Sequence, residues 1–310
     1  MSDDMTAEHA ATRCGFISII GAPNAGKSTL TNALVGTKVS IVSHKVQTTR
    51  AQIRGIALHD ASQLVLVDTP GIFRPKRHLD RAMVDAAWGG ARSADIVVVL
   101  VDAAKGLDDE VTAFLSAAKD LRLPCVLALN KIDRVKKPAL LALAAEAGTF
   151  RNFDRVFMIS ASEGSGVDDL KAYLAEISPL GPWHYPEEQI TDAPQRSWAA
   201  EVTREKLFLR LHDELPYAST VETIDWKNMK DGSVRVEQTI FVERSSQKKI
   251  VLGAGGATIK AISMASRQEL GEALGVKVHL FLFVKVRENW SDDPERFREM
   301  GLEFPKIPKG

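Results

Sequence analysis

Eight consecutive residues, Gly21-Ala22-Pro23-Asn24-Ala25-Gly26-Lys27-Ser28, have the spacing G-x-x-x-x-G-K-[ST]. The chemistry of that pattern is the gripping of a polyphosphate. Side-chain-poor residues let backbone N–H groups close around phosphate oxygens, and a helix opening at Thr29 adds the positive end of its dipole. In such a cradle Lys27 reaches the β- and γ-phosphates and the Ser28 hydroxyl binds magnesium. Further along, Asp68-Thr69-Pro70-Gly71 offers a carboxylate that can hold magnesium through water and a glycine N–H that can sense a γ-phosphate. The base is chosen at Asn130-Lys131-Ile132-Asp133. A carboxylate accepts from the N1 and N2 donors of guanine, a pair that adenine lacks, so Asp133 selects guanine. Lys131 can lay its alkyl stem along the base, and the loop at Ser160-Ala161 fits a backbone N–H directed at guanine O6.

A second glycine loop, Gly253-Ala254-Gly255-Gly256, has a different use. A G-x-x-G turn between two helices lets a nucleic-acid backbone pass close to a helix N-terminus. From Arg244 to Arg287 eight basic residues face only two acidic ones, Glu269 and Glu272, although Lys+Arg and Asp+Glu balance at 40 each over the 310 residues. A polyanion site is therefore a local patch, with Lys248, Lys249 and Lys260 flanking the loop.

Positioning these groups requires two kinds of scaffold. Continuous apolar runs at 16–20, 64–67, 96–101, 125–129 and 156–159 read as parallel strands covered on both faces. Amphipathic stretches at 29–34, 79–93, 109–119, 138–147 and 167–177 read as the crossover helices, and 52–58 as one antiparallel strand beside 64–67. Each phosphate or base motif follows a strand end. Four prolines and a glycine between 178 and 194 mark a linker. Beyond it the pattern is helix (196–215), strand (219–226), strand (234–242), helix (246–252), helix (257–271) and strand (276–286), with a hairpin at Lys230-Asp231-Gly232. The fold expected is α/β, a P-loop domain with a mixed, mainly parallel sheet, followed by an α+β domain. The boundaries are 1–178, a linker at 179–195, and 196–310 with a C-terminal tail.

Composition narrows the setting. Hydrophobic residues at 45% and charged residues at 26% suit a globular protein and exclude large-scale disorder. The longest purely apolar run, 96–101, is far short of a membrane span. The acidic, polar start at residues 1–13 does not read as a signal peptide, and Cys14 and Cys125 read as core thiols without zinc or disulfide spacing. These features predict a cytoplasmic chain and leave peripheral attachment to the cytoplasmic face of the inner membrane open.

The ordered set GAPNAGKS, Gln47-Thr48-Thr49-Arg50, DTPG, NKID and Ser160-Ala161 resembles the translation-factor-related GTPases, and specifically the Era family. The later helix–strand order with GAGG resembles a type II KH domain, the second half of that family's architecture. The resemblance spans nearly the whole chain. It implies a GTPase cycling between GTP and GDP, and a monomer is expected. It also implies binding near the 3′ end of small-subunit ribosomal RNA and a role in maturing the small ribosomal subunit. A switch threonine closes on magnesium, with Thr49 the better match and Thr48 the alternative. Lys27, Thr49 and Gly71 then serve hydrolysis, and Ser28, Thr49 and Asp68 serve magnesium. Related Asn-bearing P-loops add potassium near Asn24. The residue after the DxxG motif is Ile72, which cannot orient water, so slow intrinsic hydrolysis is expected. Three rivals stand beside this reading: a P-loop ATPase or kinase, a membrane- or protein-docking GTPase whose C-terminal domain binds no RNA, and a purely structural role, which would need a dead nucleotide site. The chain departs from many relatives in carrying no lysine inside the G-x-x-G loop, since its variable positions are Ala254 and Gly255.

Overall fold

The computed structural model describes residues 11–288, 290 and 293–305. Most of the polar start read as lacking a leader, and the end of the C-terminal tail, lie outside the described residues. The chain divides into two compact units. One comprises the residues up to Ser40, Ile53–Ile72 and Ala87–Asp192; the other comprises Ile41–Gln52, Phe73–Ala86 and the residues from Ala193 onward.

The first unit carries β1 (Arg13–Gly21), α1 (Lys27–Val35), β2 (Ile53–His59) and β3 (Ser62–Asp68). Helix α2 (His78–Ser93) follows, and its later turns belong to this unit. Then come β4 (Ile96–Asp102), α3 (Asp109–Ala118), β5 (Cys125–Asn130), α4 (Lys137–Phe150), β6 (Arg155–Ile159) and α5 (Val167–Ile177). The sheet order is β2-β3-β1-β4-β5-β6, with β2 antiparallel to β3 and the other pairs parallel. Alternate residues of β4 feed opposite cores: Val98 and Leu100 join the α1 and α5 side, while Val97, Val99 and Val101 join the α3 and α4 side. This is why the strand reads as an unbroken apolar run. Cys14 and Cys125 are buried free thiols, as read.

Segment 179–192 is more than a tether. Its carbonyls and amides pair with the first unit: Cys14 N donates to Pro179 O at 3.0 Å and Ile56 N to Ile190 O at 2.8 Å. The Gln63 side chain accepts from His184 N at 2.9 Å and Tyr185 N at 3.0 Å. Prolines cannot donate to a ladder, but a carbonyl and the intervening amides can still cover the free edge of β2.

The second unit contains α6 (Gln195–Arg210), β7 (Ser219–Asn228), β8 (Val234–Val242), α7 (Ser245–Leu252), α8 (Ala257–Leu274), β9 (Val278–Val286) and α9 (Pro294–Glu299). Strand β8 is central, antiparallel to β7 and parallel to β9. Helix α6 ends five residues before the expected 215, where the chain turns extended at Leu211. Strand β9 starts two residues after the expected 276, because Gly275 caps α8 in the left-handed region at φ 65°. The range 1–178 expected for the nucleotide domain includes 41–52 and 73–86, two segments that group here with the second unit. There Leu79, Ala82 and Met83 pack with Trp290, Phe297 and Leu302. Among the described residues, no helix is long and apolar enough to cross a membrane.

Candidate nucleotide site and nucleic-acid loop

The phosphate cradle is shaped by what glycine omits. A Cβ on Gly21 would lie 2.4 Å from Leu100 O, and one on Gly26 would lie 2.3 Å from Asn130 Nδ2. Gly26 also enters α1 at φ 102°, a left-handed conformation that favours glycine. Asn24 sits at φ 63°. Lys27 is 7% exposed, and its ammonium donates to Gly21 O at 3.1 Å and Ala22 O at 3.0 Å. Burial lowers its pKa to about 8, partly opposed by the Asp68 charge. The loop thus holds a sequestered cation beside its own carbonyls, ready to exchange them for phosphate oxygens.

The Ser28 hydroxyl donates to Asp68 Oδ2 at 2.7 Å. These are two hard oxygen donors side by side, the ligand type magnesium takes, so the residues fit the ion. Asp68 ends β3, and Thr69 then anchors the following turn by donating from Oγ1 to Ile19 O at 2.7 Å. Gly71 approaches so closely that a Cβ would meet Pro23 backbone at 3.0 Å. Ile72 donates from its N–H to Gly21 O at 3.0 Å while its side chain joins the core. Its burial leaves no side chain there to orient water.

At the base end, Asn130 ties two loops together. Its Nδ2 donates to Ala25 O at 2.8 Å and its Oδ1 accepts from Ala161 N at 3.0 Å. Lys131 donates to Asn24 O at 2.7 Å and to Asp102 Oδ2 at 2.6 Å. Asp133 accepts from Ser160 Oγ at 2.7 Å, which heads the causes holding its carboxyl below the usual carboxylate range. It is an ionised double acceptor, as guanine requires. Ser160 N donates to Ser165 O at 2.9 Å and Ala161 N is taken by Asn130. Both N–H groups of the loop expected to offer one to guanine O6 therefore have protein partners, and the Ser160 hydroxyl orients Asp133. Asp102 escaped the sequence reading. Its signal was its place at the end of an apolar strand, in register with Asn130.

Pro23 and Ala25 lie in the phosphate loop and Pro70 in the loop after β3, while Thr29 lies in the first turn of α1. Thr49 does not belong to this unit. Within 41–52 the Thr48 hydroxyl is engaged locally, donating to Lys45 O at 2.7 Å and meeting Ser43 Oγ at 2.5 Å. Thr49 beside it is 7% exposed.

In the second unit the G-x-x-G loop joins α7 to α8. Gly253 has φ 74°, Gly255 57° and Gly256 80°. A Cβ on Gly253 would sit 2.3 Å from Thr258 Oγ1. Ala254 and Gly255 are exposed at the tip, as are Lys249 and Lys260, while Lys248 is half-buried. The loop presents bare backbone at the start of an 18-residue helix, with basic side chains on its flanks.

The comparisons agree with both halves. The family described as 50S ribosome-binding GTPase matches residues 16–131, and the KH domain family matches 214–291. The chain is 65% identical over 298 residues to GTPase Era of Brucella suis biovar 1 (strain 1330), covering 96% of each chain. It is 64% identical to GTPase Era of Mesorhizobium japonicum over 305 residues, 98% of each. A crystal structure of Era with MgGDPNP and nucleotides 1506-1542 of 16S ribosomal RNA matches with a TM-score of 0.89 at 34% identity, covering 94% of this chain and 99% of that one. A point variant of Aquifex aeolicus Era bound to GDP.AlF4- matches with a TM-score of 0.88 at 34% identity and the same coverage. With a guanine-selective P-loop unit and a KH unit in the order and proportions of these relatives, the chain belongs to the Era family of GTPases.

Proposed function

We propose that the chain is a GTP-driven switch that binds small-subunit ribosomal RNA near its 3′ end and acts in assembly of the small ribosomal subunit. The observation that carries this is the pairing in one chain of a guanine-selective phosphate cradle and an exposed G-x-x-G loop, each with its chemistry intact. The similar Era structure holding both a GTP analogue and 16S ribosomal RNA supports the same pairing. Lys27 and the loop N–H groups take up charge as the γ-phosphate departs, an electrostatic contribution that preorganised donors make well. Ser28 and Asp68 would hold magnesium, which would supply charge neutralisation at the phosphates. Gly71 N–H and Thr49 report the γ-phosphate. With Ile72 buried, hydrolysis proceeds without a side chain positioning water, and turnover is slow.

Potassium near Asn24 belongs to this reading; Asn24 is left-handed, and its carbonyl accepts from Lys131. Faster hydrolysis in potassium than in sodium buffer is expected, and equal rates remove the ion from the account. A monomeric cytoplasmic protein is the setting proposed, with any membrane contact at the surface. Crosslinking to a 3′-end oligonucleotide of small-subunit ribosomal RNA, with a GTP analogue and then GDP bound, tests the whole. Crosslinks at 248–260 that depend on the nucleotide are expected. No crosslink in either state favours the protein- or membrane-docking alternative.

A further inference from the structure

Residues 41–52, which carry Thr49, belong to the same compact unit as the KH elements. The attachment is dense and polar. Arg50 is 3% exposed. Its Nη1 donates to Ser219 O at 2.8 Å, and its Nη2 to Pro216 O at 3.2 Å and Tyr217 O at 3.3 Å. The guanidinium lies 5.6 Å from the Phe208 ring centre and 5.5 Å from that of Trp290. Arg204 donates to Thr48 O, Glu205 accepts from Val42 N at 2.8 Å, and Lys45 donates to Phe208 O at 2.6 Å.

The Arg50 site has an uncommon composition. Its direct polar partners are backbone carbonyls, and its Nε is buried with no hydrogen bond. Burial, followed by the nearby Arg204 charge, lowers its pKa to about 9, so it remains a cation at neutral pH. A cation buried without a carboxylate against it is costly unless the geometry is specific. Planar guanidinium suits this cage: two of its edges reach carbonyls while its faces meet aromatic rings. Such an arrangement is a poor way to gain stability and a good way to fix one backbone position.

We propose that Arg50 is a positioning residue that fastens the backbone beside Thr49 to the KH unit, so that ordering of the switch threonine and RNA binding share one equilibrium. This rests on the reading of Thr49 as the switch threonine. The γ-phosphate draws on Thr49, the KH elements hold Arg50, and one peptide bond separates the two. By linkage, whatever RNA does to the KH unit must then alter GTP affinity by the factor that GTP alters RNA affinity.

The test measures affinity for the 3′-end ribosomal RNA oligonucleotide with a GTP analogue and with GDP bound, in the wild type, Arg50→Ala, Arg50→Lys and Lys45→Ala. The wild-type ratio is expected to differ from one by about tenfold, within the usual range of coupling. In Arg50→Ala the ratio falls to near one, and affinity for the GTP analogue drops several-fold while GDP affinity holds. Arg50→Lys does not restore the ratio, since an ammonium cannot reach three carbonyls in a plane. A merely structural Arg50 would lower melting temperature and leave the ratio intact, and that result overturns the proposal. Should Arg50→Ala fail to fold, Lys45→Ala decides. Its side chain is only half-buried, and a reduced ratio supports the anchor while an unchanged one refutes it. A wild-type ratio of one sinks the switch itself and the anchor with it; a wild-type ratio retained in the variants sinks the anchor alone.

Discussion

At Gly26 the first glycine loop enters α1 with φ 102°, and at Gly256 the second enters α8 with φ 80°. Both stand at the start of a helix, and each holds one glycine that close contact requires: a Cβ would meet Asn130 at Gly26 and Thr258 at Gly253. They differ in where the positive charge sits. The first buries Lys27 inside the cradle; the second leaves Ala254 and Gly255 bare and keeps Lys249 and Lys260 exposed on the flanks. A sequestered cation has shed its water in advance and serves one dense, fixed anion. Flanking cations in water serve a strand that passes by, at strengths that salt controls. The contrast separates a catalytic grip from a tracking surface.

The hardest blow to this contrast is Lys27→Ala. GTP hydrolysis is expected to fall on the order of a hundred- to a thousandfold, the cost of removing one charge-stabilising donor. A single-turnover assay checks it, and a fall under threefold would break the contrast. Next comes Asp133→Asn, which trades an acceptor for a donor opposite the guanine N2 edge. GTP affinity should drop about a hundredfold, with xanthosine triphosphate gaining in its place. Equal loss of both nucleotides would mean that Asp133 shapes the loop and does not read the base.

The pKa of Lys27 gives a third, intermediate effect. Its value in the folded protein, about 8, lies below the ordinary 10.5. Between those values the unfolded chain binds more protons, so nucleotide-free stability contributed by this group rises with pH from about 8 to 10.5. Triphosphate binding needs the cation, so above about pH 8 it takes up a proton and affinity falls with rising pH, at most tenfold per unit. Calorimetry in two buffers of different ionisation heat reads that proton directly. The smallest effects belong to the second loop. Lys249→Ala and Lys260→Ala should each weaken RNA binding a few-fold and reduce the salt slope by about one. Unchanged slopes in both would move the contact elsewhere.

Much of the first unit was legible because its signals are local. A strand buried on both faces must be apolar throughout, so 96–101 and 125–129 announced themselves, and each motif stood at a strand end. The KH elements were legible from alternation, with errors of a few residues where Leu211 and Gly275 stop a helix by backbone geometry. What escaped was nonlocal. Asn130 was read into the nucleotide-binding set, but nothing local showed that its amide also joins Ala25 to Ala161, partners 105 and 31 residues away. Asp102 was marked only by its place at the end of an apolar strand, and its ion pair with Lys131 has no local signal. The grouping of 41–52 with the KH elements rests on Arg50 finding carbonyls more than 160 residues later. The packing of Trp290 and Phe297 on Leu79 and Met83 likewise has no local signature.

The strap at 179–192 decides where the polypeptide can be cut. A fragment ended at Ser178 would strip Ile56 N–H of its acceptor and leave the Gln63 carbonyl oxygen without the two amides that occupy it. It would also present β2 as a raw margin on which other chains could zip. The durable scission point lies beyond Asp192, after the last proline-rich turns have been sewn as a selvedge onto the fabric of the sheet.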